Sequence, residues 1–272
     1  MTDVMEWLQS RVQGDLLPWA DQQSAAHRFG FSYREIEQVA LENGLLPARY
    51  QRNRNMISLE DQLRLFHSRA VVIGCGGLGG YIIEELARLG VGHIVAVDYD
   101  VFEEHNLNRQ LLATPDFLGM NKVAAAARRV DRLNPAVDLI PICEAFGMEN
   151  GRKILAGADV AIDGLDSIAV RLELAEVCRS ENIPLVYGSI AGWYGYVGSQ
   201  FPGERTLEKI FANDTGGRGL ETKLGNPSFT PAVIASLEVA EACKILLNRG
   251  TPVRRRCLSI DLLDMEFVEI EC

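Results

Sequence analysis

What the chain lacks narrows its function before any motif is read. Its six cysteines, at positions 75, 143, 178, 243, 257 and 272, never form a C-x-x-C pair, and no histidine stands beside them at ligand spacing. That excludes the common structural zinc modules. Scattered thiols without a charged-then-apolar leader point to the reducing cytoplasm. No uncharged apolar run approaches the ~20 residues that cross a bilayer, which argues against a membrane role. Basic excess is also missing: 27 Lys and Arg stand against 37 Asp and Glu, a formal net charge of -10. Nucleic-acid binders carry the opposite balance, and the one tight basic cluster, Arg254-Arg255-Arg256, reads as a solvated turn before the last strand. A G-x-x-x-x-G-K-[ST] loop is absent, which removes P-loop chemistry.

What is present suits one large α/β domain with a small appendage: 272 residues, 47% hydrophobic and 24% charged. Residues 1–48 stand apart as a helical appendage. They hold Trp7 and Trp19, and Ser32-Tyr33-Arg34-Glu35 is a capping box. Ile36, Val39 and Ala40 then share one helical face, and Gly44 is placed to stop it. Packing or dimerisation is the expected role of this segment, ahead of DNA contact.

Residues 49–272 alternate strand and helix. Residues 70–73 are a continuous apolar run, as in strands buried on both faces of a parallel sheet. Helices are predicted over 79–89, 121–133, 168–180 and 231–248, and strands over 93–97, 137–141, 160–162 and 184–187. Residues 194–201 and 257–270 alternate as antiparallel strands would. The fold class is therefore α/β: a doubly wound, mostly parallel Rossmann-like sheet with antiparallel C-terminal strands. Residues 202–228 form one long irregular stretch, functional or disordered by its length.

Gly74-Cys75-Gly76-Gly77-Leu78-Gly79 matches G-x-G-x-x-G between a strand and a helix, and Asp98 follows 19 residues after Gly79. The glycines allow a tight turn and a close approach of backbone N–H groups to phosphate, at a helix N-terminus that favours anions. Asp98 is placed to accept hydrogen bonds from ribose hydroxyls. Cys75, inside the turn, reads as a packing residue. NAD and ATP both remain open on this motif alone.

Further along come Tyr99-Asp100, Asn106-Leu107-Asn108-Arg109-Gln110, Asn121-Lys122-Val123 and Asp163-Gly164-Leu165-Asp166. Strand C-terminal ends share one crevice in this fold, so Arg109, Lys122 and Asp166 are expected to converge on the glycine turn. Hydride transfer needs no such cluster. Nucleotidyl transfer does: cations stabilise charge on the phosphates, and a carboxylate holds Mg²⁺. An NAD-dependent oxidoreductase is the first alternative, but none of the four histidines is a convincing acid or base for it. A non-catalytic module that binds a nucleotide or a carrier protein is the second.

With these motifs in order, residues 49–269 resemble the ThiF/MoeB/HesA family, bacterial relatives of ubiquitin-activating E1 enzymes. Arg49-Tyr50-Gln51-Arg52-Asn53 is similar to its R-Y-x-R-Q stretch, with Asn53 in place of Gln. The turn containing Gly74, Gly76, Gly77 and Gly79 matches G-x-G-G-L-G. Asp98 and Asp100 match D-x-D, Asn106 to Gln110 match N-L-x-R-Q, and Lys122-Val123 matches K-V. The resemblance implies that Asp98 holds the ribose and that Asn106, Arg109 and Lys122 contact ATP phosphates, with Asp100 and Gln110 in the same site. Asp166 would bind Mg²⁺, and Arg52 would reach the triphosphate of a neighbouring subunit in a homodimer. The implied reaction is adenylation of the C-terminal Gly-Gly carboxylate of a small ubiquitin-like sulfur-carrier protein, in a molybdopterin, tungstopterin or thiamin type of pathway. Many relatives bind structural zinc through two C-x-x-C pairs. Those pairs are missing here, so no zinc is expected. The crossover stretch 202–228 has no cysteine either, so adenylation is expected without a covalent carrier–enzyme step.

Overall fold

The computed structural model describes residues 2–211 and 224–271. The N-terminal part holds α1 (Thr2–Gln9), β1 (Leu16–Leu17), α2 (Trp19–Phe29), α3 (Tyr33–Glu42) and β2 (Leu46–Pro47), with β1 and β2 paired in parallel. The capping box forms as expected: Ser32 N–H donates to Glu35 Oε2 at 2.7 Å, and Glu35 N–H donates to Ser32 Oγ at 3.2 Å. Leu8, Leu17, Ile36 and Ala40 close a small core of their own. The segment is also locked to the body, since Arg34 Nη1 donates to Gly92 O at 2.6 Å and to Ala136 O at 3.2 Å.

The body continues through α4 (Leu59–His67), β3 (Arg69–Ile73), α5 (Gly77–Leu89), β4 (His93–Val97), α6 (Lys122–Leu133), β5 (Asp138–Ile142), α7 (Met148–Ile154) and β6 (Val160–Asp163). Then come α8 (Ile168–Ser180), β7 (Leu185–Ala191), β8 (Tyr194–Gln200), α9 (Thr206–Ile210), α10 (Phe229–Leu247), β9 (Arg256–Asp261) and β10 (Glu266–Glu271). The eight-stranded sheet runs β10-β9-β8-β7-β6-β3-β4-β5. Pairs from β7 to β5 are parallel, and β8, β9 and β10 extend it antiparallel.

The apolar runs become the buried central strands because helices cover both faces. On β3, Ala70 and Val72 face α5, α6 and α10, packing with Ile82, Leu86, Ala126 and Val239. Val71 and Ile73 face the other way, toward Leu174, Ala175 and Cys178 of α8. Gly90, at φ 80°, stops α5 with a left-handed C-cap. The chain reverses strand order between β3 and β6, and that reversal opens the crevice where this fold binds its ligands.

Three details differ from the sequence reading. The helix after the glycine turn starts at Gly77, not at 79. The alternating stretch 257–270 is a hairpin of two strands, because a turn with Met265 at φ 57° interrupts it. The stretch 202–228 holds the short helix α9 near its start, and its residues 212–223 lie outside the described residues.

A buried carboxyl sits under β7. Glu238 of α10 is fully buried, and neither of its oxygens has a hydrogen-bond partner among the described residues. A Cβ at Gly188 would lie 2.5 Å from its carboxyl carbon, so glycine is the residue that fits there. Burial pushes the Glu238 pKa well above its usual 4.5, with Asp163 adding to the rise and Arg171 opposing it.

Two outcomes are expected. A Cβ at Gly79 would sit 1.8 Å from Gly74 O, so Gly79→Ala should lose about 1–3 kcal/mol or more, read as a lower Tm. Glu238 ionises more readily in the unfolded chain, so its contribution to stability is lost as pH rises from 4.5 toward the folded pKa. Glu238→Gln should match the parent Tm near pH ~4 and exceed it near pH ~8. Equal Tm differences at both pH values would contradict this.

Candidate functional site

The site is assembled at the C-terminal ends of β3, β4 and β6. Gly74 leaves β3 at φ 93°, a conformation that L side chains avoid. A Cβ there would meet Gly164 O at 2.5 Å, so the turns after β3 and β6 touch backbone to backbone. Gly76 then caps α5, and no side chain caps the helix N-terminus. The first-turn amides are left facing outward, the arrangement that binds anions. At Gly76 a Cβ would have Gln110 Nε2 as its nearest neighbour, at 3.5 Å. Cys75 is fully buried, and burial pushes its thiol pKa well up, in keeping with a packing role.

Asp98 directly follows β4 and ties this cradle together. Its Oδ2 accepts the Cys75 N–H at 2.7 Å, and its Oδ1 accepts the Asp100 N–H at 2.8 Å. Lys122 opens α6, only 7% exposed, and its Nζ donates to Asp100 Oδ2 at 3.0 Å. Arg109 is half-buried, with Nη1 donating to His105 O and Asn108 Oδ1, each at 3.0 Å. Gln110 is buried beside Gly76, and its Oε1 has no partner among the described residues. Asp166, in the turn after β6, is exposed toward the cavity and has no hydrogen bond or ion pair among the described residues.

A cavity of about 930 Å³ gathers these groups: Gly74, Gly76, Gly77, Asp98, Asp100, Arg109, Gln110, Lys122 and Asp166 all line it. Three expected site residues stand outside its wall. Gly79 packs against Gly74 O. Asn106 is buried at 3% exposure, and its Oδ1 accepts the Glu103 N–H at 2.9 Å, which shapes the turn leading to Arg109. Arg52 lies in an exposed turn before α4, away from this cavity of its own chain. The cavity continues from the cradle along the sheet, past Ser189 and Ala191 of β7 to Tyr194 and Tyr196 of β8 and Ser259 of β9.

Sequence reading missed the pair that holds the Asp166 turn. Asp163 is fully buried, with Oδ2 2.9 Å from Arg171 Nε, a charge contact rather than an aligned hydrogen bond. Its Oδ1 accepts the Leu165 N–H at 2.9 Å, and Arg171 Nη2 donates to Leu165 O at 2.8 Å. Burial raises the Asp163 pKa, and the Arg171 guanidinium offsets part of that rise. Nothing in the helical pattern of α8 marks Arg171 as buried, so the only signal is the Asp163 motif itself.

The geometry separates folding from binding at the glycines. Gly76→Ala meets only ordinary contacts, so its Tm should stay within a few degrees of the parent. Its methyl group projects where an anion would approach, so ATP affinity should fall at least ~10-fold by calorimetry, about 1.4 kcal/mol. Unchanged affinity would remove the cradle from the site.

Comparison with known proteins shows a family and a shared fold. The family model described as the ThiF family matches residues 50–272. The Haloferax volcanii protein named SAMP-activating enzyme E1 is 37% identical over 223 residues, covering 80% of this chain and 83% of its own length. The Thermus thermophilus protein named sulfur carrier protein adenylyltransferase is 32% identical over 217 residues, covering 76% of this chain and 80% of its own. Among solved structures, E. coli MccB with ATP superposes at TM-score 0.69 and 21% identity, covering 88% of this chain and 78% of MccB, which shows a shared fold. With the family match spanning most of the chain and that haloarchaeal relative at 37% identity, this chain belongs to the ThiF family.

Proposed function

We propose that the chain uses ATP to adenylate the C-terminal carboxylate of a small ubiquitin-like sulfur-carrier protein ending in Gly-Gly, releasing pyrophosphate. One observation carries this reading: a single cavity joins the capless α5 N-terminus to Lys122, Arg109 and Asp166. The names of the relatives favour an adenylyltransferase over the oxidoreductase and the non-catalytic module. The residues fit the nucleotide. Outward amides suit the phosphates, the unpartnered Gln110 Oε1 waits beside Gly76, and Asp98 stands at the end of β4 where a ribose would lie.

In the reaction, a carrier carboxylate oxygen attacks the α-phosphorus and the bond to the bridging oxygen breaks. The products are a carrier acyl-adenylate and pyrophosphate. Lys122 exchanges Asp100 for a phosphate oxygen, and Arg109 leaves His105 and Asn108 to do the same. Both then neutralise charge that grows on the leaving group. Asp166, with open hard carboxylate oxygens, would hold Mg²⁺, and the metal would screen phosphate charge. The groove over β7 and β8 receives the carrier tail. Arg52 serves the site of a second copy in a homodimer, since it is exposed and does not line its own. The crossover stretch has no cysteine, so the adenylate passes to an outside nucleophile. The carrier belongs to a molybdopterin or tungstopterin type of pathway, or to a thiamin type. Among the described residues no helix is long and apolar enough to cross a membrane, and we place the reaction in the cytoplasm.

Exchange of labelled pyrophosphate into ATP, with a Gly-Gly carrier from the same genome, tests the reading. Lys122→Ala and Asp166→Ala should each slow exchange roughly 10²-fold, about 3 kcal/mol of barrier. Full exchange in Asp166→Ala would remove Asp166 from the chemistry, and no exchange by the unsubstituted protein with any such carrier would leave a binding module rather than an enzyme.

A further inference from the structure

The family match begins at residue 50, so it leaves the N-terminal segment without a role. That segment and the body hold the turn that carries Arg52 at three points. At the start of the turn, Tyr50 is fully buried. Its hydroxyl donates to Glu37 Oε1 of α3 at 2.7 Å and accepts from Asn134 Nδ2 at 2.8 Å. Asn134 Nδ2 also donates to Ala87 O of α5 at 3.0 Å, and Asn134 Oδ1 accepts from Arg49. Arg49 in turn lies over the Trp19 ring of α2, 4.7 Å from its centroid. In the middle of the turn, Arg54 pairs with Asp15. At its end, Arg249 donates to Met56 O and pairs with Asp61 at 2.9 Å. Within the turn, Asn53 N–H donates to Tyr50 O and Ile57 N–H to Asn53 O, both at 2.9 Å.

Arg52 is the exception among its neighbours. Arg49 and Arg54 are both engaged, while Arg52 is exposed with no hydrogen bond, ion pair or ring contact among the described residues. A guanidinium left free on a turn fastened at its start, middle and end is available to a group beyond its own chain.

We infer that the N-terminal segment is a brace, and that Glu37 and Asp15 are positioning residues that aim Arg52 into the partner subunit's site. The inference rests on the proposed role of Arg52 in trans. Pre-setting the turn matters because a cation that acts only on developing charge raises kcat, and small misplacements lose much of that effect. Asp15 contributes through geometry rather than stability, since an exposed ion pair of this kind adds little to stability.

Mixed dimers carrying two affinity tags separate the parts. One chain carries Arg52→Ala and keeps an intact site. The other carries Asp166→Ala and donates Arg52. Pyrophosphate exchange then reports only the intact site served by the donor's Arg52. Asp15→Ala with Glu37→Gln in the donor chain should lower kcat about 10-fold, with KM for ATP within about twofold. The same pair in the Arg52→Ala chain should change nothing. Asp15→Ala alone, at an exposed position, should give about a threefold drop in the donor and keeps the test valid if Glu37→Gln lowers Tm; Asp15→Glu should restore the rate. Equal losses in both placements, or no loss in either, would overturn the brace. If the starting mixed dimer is inactive while unsubstituted protein exchanges, the trans role of Arg52 fails, and the brace falls with it.

Discussion

The site depends on a contact that permits no side chain. Gly74, Gly79 and Gly164 meet backbone to backbone at the ends of β3 and β6: a Cβ at Gly79 would lie 1.8 Å from Gly74 O, and one at Gly74 2.5 Å from Gly164 O. This closeness sets two distances together. It seats α5 against the sheet so that its first amides face the crevice. It also brings the turn after β6, with Asp166, up to the same cradle. A larger residue at either position would separate anion cradle from carboxylate even if the sheet survived.

Charge in the cavity is held in readiness by local partners. Lys122 rests on Asp100, and Arg109 rests on Asn108 and the His105 carbonyl. These partners keep nearby cations satisfied and aimed until phosphates replace them, so little reorganisation is needed when charge develops. The Asp163–Arg171 pair does a different task. Fully buried pairs are costly to break, by about 3–5 kcal/mol when one member is removed. This one fixes the backbone at Leu165 next to Asp166. One layer thus holds the site in place while the other engages the substrate.

The sequence made the β3–turn–α5 unit legible because glycine spacing and an unbroken apolar run each have a single physical reading there. Asp98 followed from its place at the end of the next strand. Lys122, Arg109 and Asp166 could be grouped because strand ends share a crevice in this topology. Asn106 was harder. Its motif says polar, but the fold turns its amide inward onto the Glu103 N–H. Arg171 and Glu238 were hidden because nothing in a helical pattern marks a charged residue as buried, and the Glu37–Tyr50–Asn134 network because its members are far apart in the chain, 84 residues for Tyr50 and Asn134. Local periodicity carries no record of such pairings. The hairpin at β9 and β10 was hidden by a turn with no glycine, where Met265 takes the positive φ.

The most direct measurement is a crystal structure with Mg²⁺ and a non-hydrolysable ATP analogue. The expected result places the triphosphate over the Gly76 and Gly77 amides, with Lys122 Nζ moved from Asp100 onto a phosphate oxygen, the ribose at Asp98 and the metal at Asp166. A nucleotide bound elsewhere, or phosphates that leave Lys122 on Asp100 and Asp166 without metal, would contradict the account of this site.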